Sequence, residues 1–282
     1  MCSSDLFGLG GSGLAPARAL AAGGADVAVW DDGEAGRAKA KGEGFQVVDL
    51  RDADWAGFSS FVLSPGVPLT HPEPHWSVKM AQAAGVEVIG DVELFARERA
   101  KLAPGSPFIA ITGTNGKSTT TTMAGAIARV RDPLAFVGGN LGTPLCEAIM
   151  NGLQPGTADA PRLLVIELSS HQLHWMPGNG AITPLAAVCL NLAEDHVDHF
   201  GSMAQYAAAK ARVFHQAQVA AVYNVQDPAT LKRVNDAWAP MGEIGAQMGG
   251  QGAEMGRHGA SMGALGAKMA LAARSEEHTS EL

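Results

Sequence analysis

Short apolar runs rich in β-branched residues recur along the chain at 27–30 (VAVW), 45–48 (FQVV), 60–63 (SFVL) and 86–89 (VEVI). They return at 108–112 (FIAIT), 163–167 (LLVIE), 186–190 (AAVCL) and 219–223 (VAAVY). Ala-rich stretches separate them and predict helices over 14–22, 74–84, 118–129, 203–217 and 228–237, the last opening on Asp227 and Pro228. Strands alternating with helices are the signature of βα units around a mostly parallel sheet, so the fold class is α/β. Between the two sets lies KLAPGSP, 101–107, whose Pro and Gly interrupt helix and strand alike and mark a linker. The expected organisation is a Rossmann-like N-terminal domain over 7–100 and a phosphate-loop-type central domain over 108–238.

The pattern changes at 239–273, which reads as five sevens with Met241, Met248, Met255, Met262 and Met269 in register. A period of seven invites a coiled-coil reading, but the seam would hold only Met beside Ala. The segment also carries nine Gly, each costing a helix about 1 kcal/mol relative to Ala. A low-complexity tail is the competing expectation. The two ends look foreign to the rest. RSEEHTSEL, 274–282, is encodable by a common sequencing adapter and MCSSDL, 1–6, by its reverse complement, so both are expected to be adapter-derived and the chain to be a fragment.

Composition narrows the function classes. With 46% hydrophobic and 17% charged residues the chain is globular, and no apolar run approaches the roughly 18–20 residues of a membrane span. Twenty Lys and Arg against 28 Asp and Glu give a formal charge of −8 without a basic stripe, so neither nucleic acid nor membrane is an expected partner. Cys2, Cys146 and Cys189 share no metal or redox spacing, which makes a reducing cytoplasm the expected location and Cys146 and Cys189 expected core residues.

The most informative string is FIAITGTNGKSTTT, 108–121: an apolar strand, a tight Gly loop, then Lys117 and Ser118 opening a helix. Backbone N–H groups of such a loop face a polyphosphate, Lys117 supplies a cation to the β- and γ-phosphates, and Ser118 can ligate Mg²⁺. The spacing is G-x-x-G-K-S, two residues tighter than the general phosphate-loop pattern. Gly113, Thr114, Asn115, Gly116, Lys117, Ser118 and Thr119 are therefore the candidate ATP-binding residues. A second string, GLGGSG at 8–13, followed by a helix and a strand ending at Asp31 and Asp32, has the outline of a dinucleotide fingerprint. An NAD site, a site for another nucleotide-linked ligand and a purely structural turn all fit that spacing.

Two further clusters follow strands. Glu167 ends LLVIE, at the carboxyl edge where ligand crevices form, and is either a Mg²⁺ ligand or a solvated or helix-capping carboxylate. LNLAEDHVDHFG, 190–201, packs Glu194, Asp195, His196, Asp198 and His199 into six residues, fitting metal or phosphate work or a polar turn. By spacing alone Lys210 in YAAAKARVF reads as a solvated helix lysine, and His171, His174, His215 and His258 show no pairing.

Taken in order, GLGGSG, LSPGVPLTHP (63–72), GDVELF (90–95), ITGTNGKSTTT, GGNLGTP (138–144), ELSSHQL (167–173), LNLAEDHVDHFG and YAAAKARVF resemble the Mur ligase family of amide-forming ATPases, over roughly residues 7–238. GNLGTP and ELSS-QL favour its D-glutamate-adding branch. The resemblance implies a UDP-sugar, not NAD, at Gly10, Ser12, Asp31, Asp32, Ser64 and Gly66, with Asn140 and Ser169 near the muramoyl-alanine end. It implies ATP on Lys117, one Mg²⁺ on Ser118 and Glu167, and a second on His196 and a carbamylated Lys210, making Lys117, His196 and Lys210 the expected catalytic set. The implied substrates are UDP-N-acetylmuramoyl-L-alanine and D-glutamate, joined through an acyl phosphate by a cytoplasmic monomer in peptidoglycan precursor synthesis. Family members continue into a third domain that closes over ATP. The family's Asn-rich helix is matched here only in outline by GRHGASMGALGAKMALAA, with Gly259 and Gly263 at the Asn positions. Little or no ligase turnover is therefore expected of this chain. A folylpolyglutamate-type ligase, a nucleotide-binding module without catalysis and an NAD oxidoreductase are the competing readings.

Overall fold

The computed structural model describes residues 3–7 (backbone alone), 13–150, 162–176, 182–214 and 217–223. Contacts divide the chain into a unit Met1–Val234 and a second, Asn235–Leu282. The Met heptads at 239–273, the 274–282 end and the helix expected at 228–237 lie outside the described residues, as do Gly10 and Ser12.

The first sheet is all parallel. Its strands β1 (Ser3–Phe7), β2 (Asp26–Trp30), β3 (Gln46–Val47), β4 (Ser60–Leu63) and β5 (Glu87–Ile89) stand in the order β3-β2-β1-β4-β5. That is the doubly wound order, with its topological switch between β1 and β4. The centre is held by β1, formed by residues mostly from the segment read as foreign in origin; its backbone pairs with β2 on one side and β4 on the other. Along β4 successive side chains face opposite ways. Val62 joins Leu14, Val29, Ile89 and Leu94 in one core cluster, while Phe61 and Leu63 join Leu50, Trp55 and Val78 in another.

Around this sheet lie α1 (Leu14–Ala22), α2 (Glu34–Gly42), α3 (Trp76–Ala83) and α4 (Asp91–Leu102). α4 has Asp91 and Glu93 in its first turn and Arg99 and Lys101 in its last, complementing the helix dipole at both ends. Because α4 runs to Leu102, the connection to the second sheet is shorter than the expected 101–107, starting at Ala103. Arg99 ties it down by donating to the Ser106 carbonyl at 2.8 Å.

The second sheet is also all parallel. Its strands are β6 (Phe108–Thr112), β7 (Phe136–Gly139), β8 (Leu164–Glu167), β9 (Ala186–Cys189) and β10 (Ala220–Tyr223), in the order β10-β9-β6-β8-β7. β8 is buried throughout, as a strand covered on both faces must be. Its helices are α5 (Lys117–Arg131), α6 (Leu145–Met150), α7 (Ser170–His174), α8 (Val197–Phe200) and α9 (Met203–Ala211), the last followed by a 3-10 turn at Arg212–Phe214. The expected strands and helices within the described residues are all found. β1, β7, α2, α4, α6, α7 and α8 are additions to the sequence reading.

The start of α4 meets the second sheet's helices directly. Gln172 of α7 donates to Asp91 Oδ2 at 3.2 Å, and the Cys146 thiol of α6 lies 3.7 Å from the Asp91 carbonyl. Asp91 is buried with Oδ1 unpartnered, and burial raises its carboxyl above the usual range.

Candidate functional site

β6, β8 and β9 all end at the same edge of the second sheet, where an open parallel sheet forms its ligand crevice. The loop leaving β6 reaches α5 through Gly116, whose φ of 80° is the left-handed conformation that a side chain would penalise. No side chain caps α5, and its internal hydrogen bonds begin only where Thr120 N–H donates to the Gly116 carbonyl. The N–H groups of Lys117, Ser118 and Thr119 thus form an uncapped helix N-terminus, a ready anion site.

The N–H groups of Thr114 and Asn115 are used differently from the sequence expectation. Thr114 donates to the Asn191 carbonyl at 3.0 Å and Asn115 to the Asn191 side-chain oxygen at 2.9 Å. The Lys117 ammonium curls back to the carbonyls of Gly113 and Thr114, at 3.0 and 2.8 Å. Lys210 Nζ donates to that same Gly113 carbonyl at 2.8 Å.

Lys210 is therefore not a solvated lysine. It is 1% exposed on the inner face of α9, with Tyr206 one turn earlier and its ammonium 4.8 Å from that ring's centroid. Burial, then the neighbouring charge of Lys117, lowers its pKa to about 8. Glu167 is likewise 1% exposed. Its Oε1 accepts from Asn140 Nδ2 at 2.9 Å, while Oε2 is buried without a partner.

Lys117, Asn140, Ser169, His196 and Lys210 line one cavity of about 380 Å³, together with Gly66 from the turn after β4 and with Tyr206 and His171. Ser169 also caps α7, accepting from Gln172 N–H at 3.1 Å in a reciprocal capping box. His196 holds a left-handed φ of 51° and keeps Asp195 beside it, its own N–H donating to Asp195 Oδ1 at 3.0 Å. His171, which showed no pairing in the sequence, packs its ring against His199 and His196 at centroid distances of 4.3 and 4.8 Å. Burial, reinforced by these neighbours, pushes its pKa down to about 4, so it is neutral near pH 7.

Asp31 and Asp32 stand apart from this cavity, past the end of β2. Asp31 accepts from Gly33 N–H at 2.7 Å. Asp32 accepts from Arg51 (3.1 Å), Trp76 (3.2 Å) and Trp30 (3.4 Å), with His75 at 3.2 Å. Burial would raise the Asp32 carboxyl, but these hydrogen bonds and the Arg51 charge together hold it below its ordinary value. Ser64 opens the turn after β4, its carbonyl accepting from Val67 N–H at 3.0 Å. Cys146 and Cys189 are buried free thiols, as expected.

A divalent cation is compatible with this donor set: Oε2 of Glu167 is a hard carboxylate oxygen, buried without a hydrogen-bond partner. Among the described residues no group of three or more His, Cys, Asp or Glu is preassembled to hold a metal. A cation there would draw on ligands of other kinds. No helix among the described residues is long and apolar enough to cross a membrane.

A parallel, doubly wound sheet whose central strand runs through a tight Gly loop into a Lys-initiated helix defines an α/β protein of the phosphate-loop class. Residues 111–261 match the Mur ligase middle domain, and the chain belongs to the Mur ligase family. It is 54% identical over 208 residues to a UDP-N-acetylmuramoylalanine--D-glutamate ligase of Brucella abortus, a match covering 74% of this chain and 42% of that protein. A ligase of the same name from Rhizobium meliloti is 55% identical over 208 residues, with 74% and 43% covered. The chain thus spans less than half the length of these curated relatives. Among solved structures, the UDP-N-acetylmuramate:L-alanyl-gamma-D-glutamyl-meso-diaminopimelate ligase of Neisseria meningitides aligns with a TM-score of 0.48 at 18% identity, covering 84% of this chain and 75% of that one.

Proposed function

We propose that this chain is the substrate- and nucleotide-binding part of an ATP-dependent ligase that joins D-glutamate to UDP-N-acetylmuramoyl-L-alanine, acting as a cytoplasmic monomer. The observation that carries the reading is a buried carboxylate oxygen of Glu167 without a partner, next to Asn140 on a cavity that Lys117 and Lys210 also line. An unpartnered carboxylate oxygen, with two ammonium groups on the adjoining cavity, suits a metal-bound polyphosphate, which brings a cation for the first and anionic oxygens for the second. The 54% identity to ligases of that name supports the choice of substrates.

In this reading residues 7–100 hold the UDP-sugar, through the GLGGSG turn, Asp31, Asp32, Ser64 and Gly66, and 108–238 hold ATP. The N–H groups from Gly116 to Thr119 receive the phosphates, and Lys117 offsets the charge that grows during phosphoryl transfer. Asn140 and Ser169 orient the muramoyl-alanine end. The γ-phosphoryl group passes to the alanine carboxylate, giving an acyl phosphate and ADP. The D-glutamate amine then attacks the carbonyl carbon, the carbon–oxygen bond to phosphate breaks, and the amine loses a proton. Phosphate leaves where a carboxylate oxygen would not.

Ser118 and Glu167 would hold one Mg²⁺, and His196 with a carbamylated Lys210 a second. Mg²⁺ supplies charge neutralisation to the transferring phosphoryl group. With a pKa near 8, Lys210 is in part a neutral amine at cytoplasmic pH. That amine can take up CO₂, forming an N–C bond and releasing a proton, to become an anionic oxygen ligand.

Calorimetric titration of the folded chain with UDP-N-acetylmuramoyl-L-alanine, with NAD as the parallel titrant, tests the reading. Saturable binding of the UDP-sugar without NAD binding is expected. Binding of NAD alone returns the GLGGSG turn to a dinucleotide site and overturns the ligase reading.

A further inference from the structure

We propose that Asn191 is the positioning residue of the phosphate loop, fixing which of its N–H groups are offered to a nucleotide. The inference rests on reading 113–119 as the nucleotide phosphate site. Asn191 follows β9 and does not line the cavity, so it acts through the loop.

Its amide makes a two-point contact with a single residue of that loop. The side-chain oxygen accepts from Asn115 N–H at 2.9 Å, and the side-chain nitrogen donates to the Asn115 carbonyl at 3.1 Å. These two groups flank both soft dihedrals of Asn115, so one planar amide holds φ and ψ together. The reversed amide would set donor against donor and acceptor against acceptor, so the pairing itself fixes the orientation. The Asn191 carbonyl adds a third bond, from Thr114 N–H at 3.0 Å. Thr114 is further held by Ala193, whose N–H donates to Thr114 Oγ1 at 3.0 Å.

The consequence is a division of labour within the loop. The Thr114 and Asn115 N–H groups are committed to Asn191, which leaves the α5 N-terminus to meet the anion. A loop free at Asn115 would have to be ordered by the nucleotide, and that ordering would be subtracted from affinity. Held in advance, the loop offers its remaining N–H groups without that loss.

The test uses the full chain carrying Asn191→Ala or Asn191→Asp, with folding followed by circular dichroism. MgATP affinity is measured by calorimetry, and exchange of the Asn115 amide proton by NMR on labelled protein. Asn191→Ala is expected to weaken MgATP binding about tenfold, the scale of one or two lost hydrogen bonds, and to deprotect the Asn115 amide while the β6 and β8 amides stay protected. Asn191→Asp keeps the acceptor and loses the donor, so its Asn115 amide stays protected. A folded Asn191→Ala chain with wild-type MgATP affinity, or with unchanged Asn115 protection, overturns the proposal. Should the Ala variant not fold, rapid exchange at Asn115 in Asn191→Asp does so instead. If the wild-type chain binds no ATP, the function proposed above fails, and the amide exchange alone decides whether Asn191 holds the loop.

Discussion

Gly139→Ala offers a sharp test of how the second sheet positions Glu167. Gly139 is the last residue of β7, stands opposite Glu167 in the parallel register, and has φ of 113°. A Cβ there would collide with the Glu167 carbonyl oxygen and lie 3.2 Å from both Glu167 N and Ile166 Cγ2. Two of those three atoms are backbone of a fully buried strand and cannot swing aside. The backbone conformation alone costs a non-Gly residue roughly 1–3 kcal/mol, and overpacking adds about the same. We expect about 4 kcal/mol in all, a large part of a typical domain's stability. Gly142→Ala separates the two contributions: its φ is 69°, yet nothing lies within 4 Å of its added Cβ, so it should lose only about 1 kcal/mol. Urea unfolding of the two variants, followed in parallel by circular dichroism and tryptophan fluorescence, gives the comparison. If Gly139→Ala costs no more than Gly142→Ala, the β7–β8 contact does not hold Glu167 as argued.

Other perturbations read the remaining groups. Glu167→Gln should lower MgATP affinity about tenfold while leaving metal-free ATP binding unchanged, because it removes an ionic ligand and little else; calorimetry with and without Mg²⁺ checks this, and an undiminished Mg²⁺ effect would count against the site. Asp91→Asn should stabilise the chain near neutral pH. The folded state raises the Asp91 pKa, so the wild type is destabilised as pH rises above 3.8 through that raised value, and urea midpoints should converge with the variant's toward acid pH. His174 is the opposite case. Burial, then the Arg212 and His199 charges, lowers its pKa from 6.5 to about 4, so the unfolded chain takes up the proton first and stability is lost as pH falls through that window. His174→Gln should make the acid limb of the stability profile shallower, and an identical limb would contradict the assignment.

The phosphate loop was legible because its whole signal is local: strand, Gly turn, Lys-Ser and helix follow one another within fourteen residues. The α7 cap was present in the sequence too, as Ser169 with Gln172 three residues on, but the helix is five residues long and carries no apolar period. α2 was missed for a related reason. Only Ala40 of its nine residues is buried, so no apolar stripe marks it. Lys210 and Asn191 needed the tertiary structure. Lys210 looks solvated until α9 is laid against the loop. Asn191 looks like any polar residue after a strand until the β6–β9 register pairs Thr112 with Cys189, which sets 190–193 alongside 113–115. The family resemblance singled out Lys210 and was silent on Asn191.

The charged groups around the loop act on one another. Lys117 and Lys210 both donate to the Gly113 carbonyl, and burial, then the Lys117 charge, lowers the Lys210 pKa. Glu167 is near them at the sheet edge, yet its free oxygen reaches neither ammonium within hydrogen-bonding distance. Lys210, 1% exposed with a single backbone acceptor, loses hydration that this bond only partly replaces. A sheet edge with two ammonium groups and a buried carboxylate oxygen that has no hydrogen-bond partner stands to gain from a ligand carrying both signs. The Asn191 clamp fits that economy: with Asn115 already fixed, the charged groups do not have to order the loop as well as bind.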